Sequence, residues 1–153
     1  MSKEVKKIEE FIPTLTNEQT AQICREISAE KSKPPTEKKS FGELFRDILD
    51  GLDISLDKFI AVTDTDDKTY YRYRSPKNNT LPRVETLIKL CIGLRLHRDQ
   101  IDYLFALTGQ QIKPNDPNYD TYQYYFDFCS VKKELTVMAL LEEISLSDRK
   151  EVS

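Results

Sequence analysis

Apolar residues recur at helical spacing along almost the whole chain, and the stretches between them carry caps and breakers, not strand-like alternation. Val5, Ile8, Phe11 and Ile12 predict a short amphipathic helix over residues 1–12, ended by Pro13. Thr16 and Gln19 form a T-x-x-Q capping box, after which Ala21, Ile23, Cys24 and Ile27 give a second helix one weak apolar stripe. Neither stripe is wide enough to stand alone, so these two helices must pack on each other, on the rest of the chain or on a partner. The stretch "EKSKPPTEKKS" (30–40) has two prolines and no other apolar residue, and reads as a linker.

Beyond it the pattern strengthens. Ser40 and Glu43 make a second capping box ahead of Phe41, Leu44, Phe45, Ile48 and Leu49, with Gly51 expected as the C′ stop. Ser55 can cap a short helix bearing Leu56, Phe59, Ile60 and Val62. Asp66 can cap the next, which runs to about Arg74 with Pro76 just past its end. Pro82 suits the first turn of a helix carrying Val84, Leu87, Ile88, Cys91, Ile92 and Leu94. His97-Arg98-Asp99 opens another, with Ile101, Leu104, Phe105 and Leu107, closed by Gly109. "KPNDPN" (113–118) is a turn-rich loop, followed by helices near Tyr119–Cys129 and Leu135–Ile144. The pattern gives no β-strand and no internal repeat, so the expected class is all-α.

Five short helices between 40 and 109, the second and third joined by a tight turn, meet the requirement of a helix-turn-helix domain. The run Phe41 to Gly109 resembles the lambda-repressor-like (Cro/C1, XRE) helix-turn-helix family. "LPRVETLIKLCIGLRL" (81–96) carries the likeness to that family's fourth helix, and "YLFALTG" (103–109) to the end of its fifth. The division that follows is an N-terminal helical hairpin (1–29), a linker (30–40), a five-helix domain (41–109) and a C-terminal helical extension (110–153). The resemblance implies a recognition helix that turns Tyr70 and Tyr73 inward and reads bases through Asp67, Lys68 and Arg72. It implies phosphate contacts from Thr69, Arg74, Lys77, Asn78, Asn79 and Arg83. Family members commonly act as dimers, so double-stranded DNA and a second copy are the partners it implies. The chain departs from the family at Leu56, where a Gln usually meets the backbone. It departs also at Ile60, which replaces a small Ala and is expected to push the two helices slightly apart, and at Asp64, which replaces a turn Gly. Asp tolerates the left-handed conformation required there.

Charge sharpens this reading. The 153-residue chain has net charge −3 and a pI of about 5.3, which argues against a generic polyanion binder. From Lys68 to Lys89, however, six Lys/Arg face one acid, Glu85. If about four of those charges met phosphate, log affinity would fall with log salt at a slope of roughly −3.6. Asp66 and Asp67 subtract from that strip.

Other chemistry finds little support in the residue pattern. His97 is the only histidine and sits at a helix start, where capping is its plain role; no metal partners stand at suitable spacing along the chain. No Ser-His-Asp or Cys-His arrangement and no Gly-rich phosphate loop can be assembled, so neither catalysis nor a cofactor is expected. Cys24, Cys91 and Cys129 are far apart in sequence and read as buried free thiols in a reducing cytoplasm. No apolar run approaches the length of a bilayer span, and "MSKEVKKIEEFIP" has charges throughout and no signal-peptide core. In "YDTYQYYFDFC" (119–129), Tyr122, Tyr125, Phe126 and Cys129 share one side at core spacing, while Tyr124 and Phe128 lie on another. Tyr122, Tyr124 and Phe128 are the residues assigned to a dimer or partner surface. The competing functional class is a protein-interaction module (an adaptor, antitoxin or phage-type inhibitor) that keeps the fold and has lost DNA reading. It would bind through the N-terminal helices or the C-terminal aromatics.

Overall fold

The computed structural model describes residues 12–75 and 80–152, the side chains of 146–152 excepted. The helix expected over residues 1–12 lies outside the described residues up to position 11. Among those described the protein is all-α: α1 (Asn17–Lys31), α2 (Phe41–Leu52), α3 (Leu56–Thr63), α4 (Asp67–Arg74), α5 (Val84–Gly93), α6 (Arg98–Thr108), α7 (Tyr119–Phe128) and α8 (Val137–Val152). None of these helices is long and apolar enough to cross a membrane.

Local chemistry sets most helix starts. Thr16 and Ser40 accept from the backbone N–H three residues on, while Gln19 and Glu43 reach back to the cap N–H, completing both boxes. Ser55 accepts from the Lys58 N–H at 3.2 Å. Asp66 accepts from both the N–H and the hydroxyl of Thr69, at 2.9 and 2.8 Å. Those donors hold the Asp66 carboxyl below its ordinary pKa. His97 caps α6, its Nδ1 accepting from the Asp99 N–H at 3.1 Å while Gln100 completes the box. Gly109, at φ 69°, ends that helix in the left-handed region. Gly51 does not end α2. It lies within the helix, and the left-handed residue is Asp53, at φ 50°. The reason is that Leu52 still faces the core and carries the helix one turn-fraction further before Asp53 can release the chain.

The core is organised around α5, whose Leu87, Leu90, Cys91 and Ile92 are fully buried. Only Glu85 is exposed on this helix, so nearly all of its surface lies in the interior. It packs against α3, α7 and α8, while α2 meets α4 and α6, and α1 lies on α6. At the α3–α5 crossing a Cβ on Gly93 would stand 2.3 Å from the Val62 carbonyl oxygen. Phe41, Phe45 and Tyr73 join α2 to α4 with ring centroids 5.3–5.8 Å apart.

Two charged residues act inside the fold. Glu30 is 5% exposed, and its carboxylate accepts from the Lys33 ammonium at 2.9 Å and from the Lys39 N–H at 2.7 Å. The segment after α1 is thus tied back on itself ahead of α2. Arg95, 4% exposed and left-handed at φ 56°, donates to the carbonyls of Cys129, Lys132 and Lys133. It satisfies the carbonyl of the α7 C-cap, Cys129, and ties down the segment that follows through Lys132 and Lys133. At the N-terminal edge, the Leu15 N–H donates to the Ser130 carbonyl at 2.7 Å, joining the first described residues to the end of α7.

Candidate nucleic-acid interface

The turn between α3 and α4 is short because Asp64 adopts the left-handed conformation at φ 53°, which Asp tolerates. Its carboxylate also pairs with the Lys89 ammonium at 3.2 Å, across to α5. Ile60 is half-buried and packs against the core. Leu56 is half-buried at the first position of α3.

Across α4, burial separates two faces. Tyr73 is buried and Tyr70 half-buried, the Tyr70 hydroxyl donating to the Ile54 carbonyl at 3.2 Å and its ring meeting Phe59 edge-on. Asp67, Lys68, Tyr71 and Arg72 are exposed, Tyr71 to 58%. Lys68 and Arg72 are one turn apart on the same side of the helix. Among the described residues neither has a carboxylate at ion-pair distance. Tyr71, next to both, was not among the expected contacts; its i+3 spacing from Lys68 was the available signal.

The other predicted contacts divide. Arg83 is exposed at the N-cap of α5. Arg74 pairs with Asp50 at 2.5 Å and lies over the Tyr70 ring. Thr69 is 9% exposed and its hydroxyl is given to Asp66. Lys77, Asn78 and Asn79 lie outside the described residues. The cationic strip read from the sequence is therefore reduced in the folded chain, because Arg74 and Lys89 are matched by acids from α2 and the α3–α4 turn.

The C-terminal aromatics also divide. Tyr124 and Phe128 are 42% and 37% exposed, their rings in contact at 5.1 Å with the Lys132 ammonium over both. Val131 and Met138 are exposed as well. Tyr122 is half-buried and packs against the core, so it is not part of that exposed group. Helical spacing already aligned it with Tyr125 and Phe126, which are buried.

Cys91 and Cys129 are fully buried free thiols, and burial raises both pKa values, that of Cys129 to about 12. Cys24 differs: it is half-exposed on α1, with its Sγ 4.0 Å from His97 Nδ1. Spacing along the chain gave His97 no ligating neighbours, but the packing of α1 on α6 brings one from 73 residues away. A groove of about 910 Å³ opens between α1 and α2, its apolar lining including Ile23, Ile27, Leu44 and Ile48. Comparison with protein-family models, with curated proteins and with solved structures gave no match.

Proposed function

We propose that Phe41–Gly109 is a lambda-repressor-like helix-turn-helix domain. On this reading the chain is a sequence-specific double-stranded DNA-binding protein, a small transcriptional regulator or antitoxin-like repressor that acts as a dimer. The observation that carries it is the division of α4, with Tyr70 and Tyr73 turned into the core and Asp67, Lys68, Tyr71 and Arg72 turned out. A short helix anchored by aromatic packing and capped by Asp66 is a rigid platform for side chains entering a major groove. In this role Lys68 and Arg72 donate to guanine O6 and N7, and Asp67 accepts from cytosine N4. Arg83 meets phosphate, and the Tyr124–Phe128 surface joins two copies so that their α4 helices reach half-sites about 34 Å apart.

The test is selection of random duplex DNA at two salt concentrations, followed by affinity measurements on the enriched site. Reversing Lys68 and Arg72 together to Glu should weaken binding on the order of 100-fold or more, since each good base contact is worth about 1–3 kcal/mol. With Lys68, Arg72 and Arg83 as the unmatched cations of the strip among the described residues, these three should give a salt slope per copy of about −2.7. A double variant that binds as the parent does would refute the assignment to α4.

A second reading, a protein-interaction module, is favoured by the ion pairs Arg74–Asp50 and Lys89–Asp64 together with Asp67 on the outward face. It predicts no enriched duplex at either salt concentration, and a complex through the Tyr124–Phe128 surface that the Lys68/Arg72 reversal leaves intact.

A further inference from the structure

We propose that Cys24, His97 and Asp99 form a binding site for a zinc-class divalent cation, joining α1 to the start of α6. Each residue offers one ligand atom, and these atoms all lie within 4.8 Å of one another. Tetrahedral zinc with Zn–S of about 2.3 Å and Zn–N of about 2.0 Å holds such donors roughly 3.5 Å apart. The observed Sγ–Nδ1 separation of 4.0 Å closes to that value with a small side-chain movement. Thiolate, imidazole and carboxylate together form a donor set that suits zinc better than calcium or magnesium, which take oxygen ligands. Three protein ligands, all half-exposed, leave a fourth position for water or for a donor from a partner.

The same three groups could be taken for a thiol–imidazole nucleophile, but the electrostatics oppose it. The Asp99 carboxylate accepts from the Cys24 thiol and, with burial, raises its pKa, so the reactive thiolate is disfavoured. A divalent cation at the centre reverses this balance: the thiol proton leaves to solvent, and its two positive charges offset the thiolate and the Asp99 carboxylate. His97 Nδ1 accepts the Asp99 N–H in the structure, and a cation taking that lone pair replaces the bond. The Gln100 half of the capping box, which receives the His97 N–H at 2.9 Å, remains to hold the start of α6.

The experiment is titration of the full-length reduced protein with cobalt(II), read by absorbance, with zinc affinity measured against a chromophoric chelator. The parent should take up one equivalent, with a thiolate-to-cobalt charge-transfer band in the near ultraviolet and strong visible bands of tetrahedral geometry. Cys24→Ser should lose the near-ultraviolet band. His97→Asn, which keeps an effective N-cap, and Asp99→Asn should each weaken zinc binding on the order of 100-fold. Zinc should raise the thermal midpoint of the parent and not that of Cys24→Ser, a readout independent of the cobalt spectrum. No saturable uptake at millimolar metal would overturn the proposal. So would a charge-transfer band that survives Cys24→Ser, or zinc affinities unchanged in His97→Asn and Asp99→Asn.

Discussion

Gly93→Ala tests the packing of α5 on α3 because two effects of opposite sign compete there. A glycine inside a helix costs about 0.5–1 kcal/mol relative to alanine, so local propensity alone predicts stabilisation. The structure predicts the reverse. The new methyl carbon would lie 2.3 Å from the Val62 carbonyl oxygen and 2.8 Å from the Thr63 Cα, where ordinary contacts begin at 3.4 Å. Both obstructing atoms are backbone, so no side chain can swing away, and the two helices must separate by about 1 Å. Overpacking of this kind costs about 1–3 kcal/mol, and a backbone obstruction belongs at the upper end. After the propensity gain is subtracted, the net loss is about 2 kcal/mol. For a chain of 153 residues this lowers the thermal midpoint by roughly 4–8 °C. Gly51→Ala is the matched control, since it lies within α2 with nothing within 4 Å of the added methyl. It should raise the midpoint by about 1–4 °C. Thermal melts of parent and both variants, followed by far-ultraviolet circular dichroism, decide the matter. A Gly93→Ala midpoint at or above the parent's would refute the close crossing of α3 and α5.

Arg95→Met removes the guanidinium from the Cys129, Lys132 and Lys133 carbonyls, of which Lys132 still accepts the Leu135 N–H at 3.1 Å, and should cost about 3 kcal/mol in urea unfolding. A loss below about 1 kcal/mol would mean that water replaces the guanidinium there. Glu30→Gln should flatten the acid limb of the stability profile. The Lys39 N–H, then Lys33, hold the Glu30 carboxyl below its ordinary value of 4.5. Its contribution is therefore full above that pH and is lost as pH falls through the depressed folded-state value. Urea melts at neutral pH and below pH 4.5 should show the variant less stable at the first and closer to the parent at the second. Parallel profiles would remove Glu30 as the titrating group.

What the sequence determined by itself, among the described residues, is which segments are helical and where most of them start. Thr16 with Gln19, Ser40 with Glu43, Ser55, Asp66 and Gly109 act on backbone within a turn of themselves, so their effects are fixed by spacing alone. The inward placement of Tyr70 and Tyr73 follows from the same short-range periodicity. Where a helix ended against the core the signal failed, as at Gly51, because Leu52 had a place to fill and Asp53 could take the left-handed turn. The tertiary structure decided what depends on how helices cross. Lys89 and Arg74 read as members of a cationic strip until Asp64 and Asp50, 25 and 24 residues away, were brought against them. Gly93 showed no distinguishing pattern in sequence, since its reason is the backbone of α3. Arg95 sat at the end of an apolar run with nothing to mark it as the donor to three carbonyls more than thirty residues away. Cys24 and His97 lie on helices with no local reason to meet, and only the packing of α1 on α6 brings sulfur to imidazole. Capping and periodicity act over one turn of backbone; charge matching, close approach and ligand sets require segments that the chain itself keeps far apart.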